Sequence, residues 1–386
     1  MMYCIIQPKI LYMGRGAIQC LEEVLRQMDP GSILVVTGPT VQKLGIVDRG
    51  LQAMGSYKHR VETFINPKPE GDVAIVEECA RRVRERGYDL IIGIGGGSPL
   101  DVAKGAAVVA VHEEGMRPLL GRNRLRRKGI PTVLVPTTAG SGTEVTQAAV
   151  VHVPEEESKK SIWDPRTMAE AAIVDPELTL HMPPRLTAET GLDALVHAVE
   201  GYAARDANPI SRMYTSEAMR LIGRYLVKAY RDGSDMEARE AMARAATLAG
   251  IGCTNSGLGA IHALALGLGS LERFTHCQSL AVLAPWVIQF NRVGNETPYA
   301  GIAKALGERV EGLSVEEASL KASEALLRIL DEVGISPCLK DYGVRKDEVR
   351  SLARKAHRLG QRLLLMNIRE VSEEDAIALF QKAFGA

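Results

Sequence analysis

Strand-like runs stop at Met182-Pro183-Pro184, and this limits the fold more than any other feature of the chain. Before the proline pair, short β-branched runs alternate with helical stretches. The runs are Ser32-Ile-Leu-Val-Val-Thr37, Val61-Glu-Thr-Phe-Ile65, Asp89-Leu-Ile-Ile-Gly-Ile94, Thr132-Val-Leu-Val-Pro136 and Ala148-Ala-Val-Val-His-Val153. One intervening helix is predicted from Val73 to Arg86, with Val76, Ala80 and Val83 on its apolar face. Continuous apolar strands separated by helices predict a mostly parallel sheet covered on both faces. Ligands of such a sheet bind beyond the carboxyl ends of its strands. After the prolines only Ala-, Leu- and Arg-rich helical periodicity continues. The expected organisation is an α/β domain over residues 1–183 followed by an all-helical domain over 184–386.

The 386 residues suffice for two such domains. Lys+Arg and Asp+Glu are balanced at 47 each, so no net field favours nucleic acid or an anionic membrane. The cluster Arg122, Arg124, Arg126, Arg127, Lys128 reads as a solvated loop. Six scattered cysteines without a C-x-x-C pair fit reduced thiols rather than a disulfide framework or a Cys-based zinc site. The apolar run at the N-terminus breaks too early for a signal peptide, and nothing approaches a membrane span. A soluble cytoplasmic protein is expected.

Two turns carry phosphate-binding chemistry. In Asp89-Leu-Ile-Ile-Gly-Ile-Gly-Gly-Gly-Ser-Pro-Leu-Asp-Val-Ala-Lys, a strand, a glycine turn and a helix start follow one another directly. Gly95, Gly96 and Gly97 let backbone N–H groups approach a pyrophosphate, and the helix N-terminus adds partial positive charge. Ser98 is expected as N-cap, with Pro99 at N1 and Asp101 completing a capping-box-like arrangement. The turn is neither G-x-G-x-x-G nor G-x-x-x-x-G-K-[ST]. The next predicted strand ends in Pro136-Thr-Thr-Ala-Gly-Ser-Gly-Thr, with the Thr137 and Thr138 hydroxyls beside two glycines. Together the turns suggest an extended, phosphate-containing cofactor.

In the second half, Gly191-Leu-Asp-Ala-Leu-Val-His-Ala places Asp193 and His197 one helical turn apart on the same face. His262 and His276 follow in a stretch made mostly of Gly, Ala and Leu. A lone histidine on an apolar helix is more often a satisfied core residue. As a set, one carboxylate and three imidazoles suit Fe(II), Zn or Co better than Mg or Ca.

The chain resembles the iron-containing (group III) alcohol dehydrogenases. Residues 95–104 look like that family's G-G-G-S-x-x-D-x-A-K turn, and Pro136 to Thr146 like its second signature. Asp175-Pro-Glu-Leu-Thr, Gly191 to Tyr202 and Gly257-Leu-Gly-Ala-Ile-His continue the match in order. The resemblance implies an NAD(P)-binding α/β domain, a helical domain and an active site in the interdomain cleft. It assigns the metal, Fe(II) or Zn, to Asp193, His197, His262 and His276. It also implies that Gly95, Gly96, Gly97, Ser98 and Asp101 hold the pyrophosphate region, that Thr137, Thr138 and Lys160 face the cofactor, and that the protein is a homo-oligomer, commonly a dimer.

The chain departs from the family pattern in three respects. Leu266 stands where a relay histidine is common, and a leucine moves no proton. Cys277 replaces a usual glycine beside His276. Gly38 and Lys68 occupy positions where many NAD-preferring members carry Asp and Asn. Loss of a carboxylate that would bond the ribose 2′-OH, and gain of a cation, predict that NADP is accepted at least as well as NAD. The expected activity is metal-dependent hydride transfer between NAD(P) and a small primary alcohol or aldehyde. A glycerol-dehydrogenase-like polyol oxidoreductase and a sugar-phosphate cyclase are the alternatives; the cyclase needs a basic pocket, and Arg273 is the nearest cation in sequence. Leu266, Phe274 and Cys277 are candidates for lining the substrate pocket.

Overall fold

In the computed structural model, which describes residues 2–68, 70–269, 271 and 273–385, the apolar runs of the first half become strands. In chain order these are β1 (Ile10–Met13), β2 (Ile33–Thr37), β3 (Val61–Ile65), β4 (Leu90–Gly95), β5 (Gly121–Arg122), β6 (Thr132–Pro136), β7 (Ala148–Val153), β8 (Ser158–Trp163) and β9 (Ala171–Val174). Six form one sheet in the order β1-β9-β6-β4-β2-β3, with every pairing parallel. The run 148–153, expected in the parallel sheet, lies elsewhere. As β7 it pairs antiparallel with β8 in a three-stranded sheet completed by β5. The reason is the connection: only Pro154–Glu156 and Glu157 separate β7 from β8, too short for the crossover that a parallel pair requires.

Alternation along the buried strands sorts side chains to two faces. Ile33, Val35, Leu90, Ile92, Val133 and Val135 meet α1 (Leu21–Met28) and α3 (Ile46–Ala53), while α2 (Pro39–Lys43) follows β2 directly. Leu34, Val36, Ile91 and Leu134 meet α4 (Val73–Arg86) and α5 (Gly97–Val109). Val76, Ala80 and Val83 are the buried stripe of α4, as their spacing predicts. The chain runs outward from β2 to β3 and then returns to place β4 on the other side of β2. The carboxyl ends of β2 and β4 therefore flank the point where the winding direction reverses, which is where open α/β sheets bind ligands.

The chain divides into two compact units, Ile6–Met182 and Pro183–Ala386 with Met1–Ile5. The second is helical: α6 (Pro184–Ala203), α7 (Pro209–Arg231), α8 (Met236–Thr254), α9 (Ala260–Ala265), α10 (His276–Arg292), α11 (Glu296–Ala305), α12 (Val315–Glu332), α13 (Val349–Leu364) and α14 (Glu373–Gly385). Among the described residues, no helix is long and apolar enough to cross a membrane.

Short α9 is held by backbone contact with α13. A Cβ on Gly360 would lie 2.7 Å from the Ala263 carbonyl oxygen, and one on Gly267 would lie 2.8 Å from Ala356 Cα. Neither obstacle is a side chain that could turn aside. Gly360→Ala gains about 1 kcal/mol of helix propensity, but overpacking of this kind costs about 1–3 kcal/mol. The variant is expected to unfold at a lower urea concentration than the wild type; an unchanged or higher midpoint would show that α9 can yield.

Candidate active site

Helix α6 presents Asp193, His197 and Glu200 at i, i+4 and i+7, one face over two turns. His262 comes from α9, and His276 is the first residue of α10, whose start is fixed by a Thr275–Gln278 capping box. Asp193 Oδ1 lies 3.6 Å from His197 Nδ1, 3.8 Å from His262 Nε2 and 3.8 Å from His276 Nε2. The ligand atoms of Asp193, His262 and His276 all lie within 4.8 Å of one another. His197 adjoins this group, its ring stacked on that of His262 with centroids 4.7 Å apart. The structure thus brings all four predicted ligands together.

Asp193 Oδ1, His197 Nδ1 and His262 Nε2 are buried without a hydrogen-bond partner. Buried polar atoms are rarely left so. Their separations exceed hydrogen-bond reach but match another geometry: two atoms each about 2.1 Å from a tetrahedral ion sit about 3.4 Å apart. The residues therefore fit a divalent ion. Burial, the largest influence on the Asp193 carboxyl, pushes its pKa up, yet His197, His262 and His276 together hold it below the ordinary carboxylate range. Burial lowers His262, but Asp193 and Glu200 outweigh it and raise the imidazole above its usual value. His197 is lowered by burial, partly opposed by Asp193. The His276 side chain is 34% exposed against 9% for Asp193, so the cluster meets solvent through His276.

Glu200 was not among the residues predicted from sequence. Its Oε2 lies 2.6 Å from His262 Nδ1, and its Oε1 accepts from the Ile261 N–H at 2.6 Å. The signal was present in the spacing Asp193, His197, Glu200.

The glycine turn closes β4 and opens α5. The helix starts at Gly97 with Gly96 as an extended N-cap that makes no side-chain hydrogen bond. The expected Ser98–Asp101 capping arrangement is therefore absent. Because the glycines let the helix begin earlier, Ser98 sits inside its first turn. Its hydroxyl oxygen accepts from Asn66 Nδ2 at 3.1 Å and from the Gly71 N–H at 2.8 Å, tying both residues to the start of α5. A Cβ on Gly95 would lie 2.9 Å from Pro99 Cγ, and one on Gly97 3.0 Å from Ser141 Oγ. The two turns pack against each other, and the Thr137 N–H donates to Gly95 O at 2.8 Å. Gly96, Gly97, Ser98 and Thr138 remain half-buried at this surface, while Thr137 is buried.

Asp101 is buried behind the turn beside Lys104, whose ammonium donates to the Thr143 and Thr146 carbonyls at 3.0 and 2.6 Å. Burial pushes the Asp101 carboxyl up and the Lys104 ammonium down, each opposed by the other's charge. This pair bolts the second turn to α5. Gly38 caps α2 at the end of β2; a Cβ there would meet Pro99 Cγ at an ordinary 3.5 Å. Lys68, on the loop held by Ser98, is paired with Asp72 at 2.5 Å. Lys160, on β8, is half-exposed and paired with Glu156 at 2.5 Å. Of the expected pocket-lining residues, Leu266 and Cys277 are half-buried next to ligand-bearing helices, whereas Phe274 is buried against Tyr342 with ring centroids 5.0 Å apart. Arg273 is paired with Glu348 at 3.3 Å.

Residues 8–176 match the family model described as iron-containing alcohol dehydrogenase, and residues 187–384 that of the Fe-containing alcohol dehydrogenase family, C-terminal. The chain is 38% identical to long-chain-alcohol dehydrogenase 1 of Geobacillus thermodenitrificans, over 98% of this chain and 96% of that protein. A crystal structure of 1,3-propanediol oxidoreductase superposes with a TM-score of 0.94 at 35% identity, covering 100% of both chains. Sulfoacetaldehyde reductase from Bifidobacterium kashiwanohense in complex with NAD+ does so with a TM-score of 0.88 at 25% identity, again covering 100% of both.

Replacing Lys104 by Met keeps the volume but leaves the Thr143 and Thr146 carbonyls without their charged donor. Hydrogen bonds to a charged group contribute about 1.5–3 kcal/mol. Urea denaturation of Lys104→Met is expected to show a loss of that order, and a loss below about 1 kcal/mol would mean that the ammonium does not hold the turn.

Proposed function

The chain belongs to the iron-containing alcohol dehydrogenase family, and from that premise we propose that Asp193, His197, His262 and His276 hold one divalent ion at which a small primary alcohol or aldehyde reacts. The protein is a metal-dependent, NAD-linked alcohol or aldehyde oxidoreductase. The observation that carries the site assignment is the Asp193 oxygen, buried, unbonded and 3.6–3.8 Å from three imidazole nitrogens. When bound, the ion supplies Lewis acidity toward the alcohol or carbonyl oxygen, and the nicotinamide supplies or accepts the hydride.

The chain's own groups set the remaining conditions. Gly96, Gly97 and Ser98 offer the open, N–H-rich start of α5 to the pyrophosphate, with Thr138 beside them. Asp101 and Lys104 act behind this surface, by fixing the second turn. Leu266, the C-cap of α9, has no proton to give or take. Proton release therefore falls to water, a ribose hydroxyl or another side chain, and the partly exposed side chain of His276 marks where solvent reaches the cluster. The nearest cation to the ligands in sequence, Arg273, is engaged by Glu348, which suits an uncharged substrate better than a sugar phosphate.

Iron is the proposed ion, with zinc the competitor that these donor types also accept. The test is chelator-stripped protein, reloaded separately with Fe(II), Zn, Co or Mn and assayed for NADH and NADPH formation with short primary alcohols. Activity is expected to return with a divalent ion in the wild type and with none in Asp193→Ala, which should also retain no stoichiometric metal. Wild-type turnover in Asp193→Ala would refute the ligand assignment.

For the dinucleotide, we propose that NADP is used at least as well as NAD. No carboxylate stands at Gly38 to repel a 2′-phosphate, although Lys68 is already shared with Asp72. Because a Cβ at position 38 meets only ordinary contact, Gly38→Asp is sterically tolerable. It is expected to lower kcat/KM for NADPH at least tenfold relative to NADH. Equal effects on both, or a wild type already tenfold better with NADH, would overturn this reading.

A further inference from the structure

His262 is anchored on the side away from the ion site. Glu200, its side chain only 4% exposed, places Oε2 2.6 Å from His262 Nδ1 and accepts the Ile261 N–H on Oε1 at 2.6 Å. Asn367 continues the arrangement one residue earlier. Its Oδ1 accepts from the Ala260 N–H at 3.1 Å and from Asn291 Nδ2 at 2.9 Å. Gly259 makes the approach possible, since a Cβ there would lie 2.6 Å from Asn367 Oδ1 and 3.1 Å from Glu200 Oε1. Two carboxylate oxygens thus serve two N–H groups of adjacent residues, one on the backbone and one on the ring.

A carboxylate accepts hydrogen bonds and offers no N–H of its own. With Glu200 on Nδ1, the ring proton stays on Nδ1 and the free lone pair belongs to Nε2. Nε2 is the nitrogen that is buried without a protein partner, 3.8 Å from Asp193 Oδ1. We infer that Glu200 is a positioning residue: it holds the His262 ring in one orientation and one tautomer, so that Nε2 is presented to the ion. Outer carboxylates on ligating histidines act in this way, and their loss weakens metal binding by about 10- to 100-fold. This inference rests on the reading of Asp193, His197, His262 and His276 as metal ligands.

Glutamine at position 200 separates positioning from mere packing. It has nearly the same volume but a single acceptor oxygen. If that oxygen serves the Ile261 N–H, the amide NH2 faces Nδ1 and requires a lone pair there. The ring proton is then driven to Nε2, where the ion needs to bind. Chelator-stripped wild type and Glu200→Gln are titrated with Co(II), followed by its d–d absorption in competition with a chelator, and the melting temperature of each metal-free protein is recorded. The expected result is Co(II) binding about 10- to 100-fold weaker in Glu200→Gln, with the two melting temperatures within a few degrees. A wild type that binds no Co(II) would end the metal reading and this inference with it. Equal affinities in wild type and Glu200→Gln would overturn this inference and leave the metal reading intact. A measurement independent of the variant's folding is 15N–1H correlation of the histidine rings in Zn(II)-loaded wild type, with His262 assigned by its absence from His262→Gln. Its remaining ring proton is expected on Nδ1, and a proton on Nε2 refutes the assignment.

Discussion

A carboxylate oxygen buried among three imidazoles is the interaction around which the helical unit is organised. Taking a charge out of water without compensation is costly enough that side chains usually neutralise instead. Here the surroundings hold Asp193 in its charged form, because each of three histidines lies within 4 Å of its Oδ1. The residues come from three helices, so the arrangement survives only if those helices are fixed to fractions of an ångström. Glycine-mediated contact does this for α9, where Gly360 and Gly267 allow backbone to lie on backbone. A capping box does it for α10, since the first turn that carries His276 is closed by Thr275 and Gln278.

The α/β unit solves a different problem with the same residue type. There glycines bring one turn against another: Gly95 and Gly97 leave space that Pro99 and Ser141 occupy, and the 137–143 segment settles beside the start of α5. Lys104 then satisfies the carbonyls of Thr143 and Thr146 from inside the protein. The surface proposed for the phosphates is built mostly of backbone, and the charged residues of its motif lie behind it.

Much of this was legible in the sequence, for reasons specific to each element. The β2, β3, β4 and β6 runs are dense in β-branched residues, so composition alone marks them, although only β2, β4 and β6 are buried throughout and β3 lies half-buried at the sheet edge. The β9 segment, Ala171-Ala-Ile-Val174, is half alanine and gives no such mark, although the sheet buries it fully. Strand β8 begins Ser158-Lys-Lys-Ser161 and is recognisable only through its pairing with β7. Helical spacing on α6 disclosed Asp193 and His197, and its next repeat falls on Glu200, whose role depends on a residue 62 positions away. The Ser98 capping expectation failed because three glycines allow a helix to begin anywhere among them. The packing of Phe274 was equally hidden, because its partner, Tyr342, lies far along the chain.

The contact between α9 and α13 has a consequence for how this scaffold can diversify. Helix α9 carries His262 and cannot move away from Gly360 without taking that side chain with it. Under the proposed function, changes around the site are best tolerated at positions that leave the α9 backbone alone. Leu266, at the end of α9, and Cys277, directly after His276, are half-buried and outside that contact. Rigid placement of His262 and room for change beside it are two sides of one packing arrangement: the glycine contact fixes one face of α9 and leaves these flanking positions outside it.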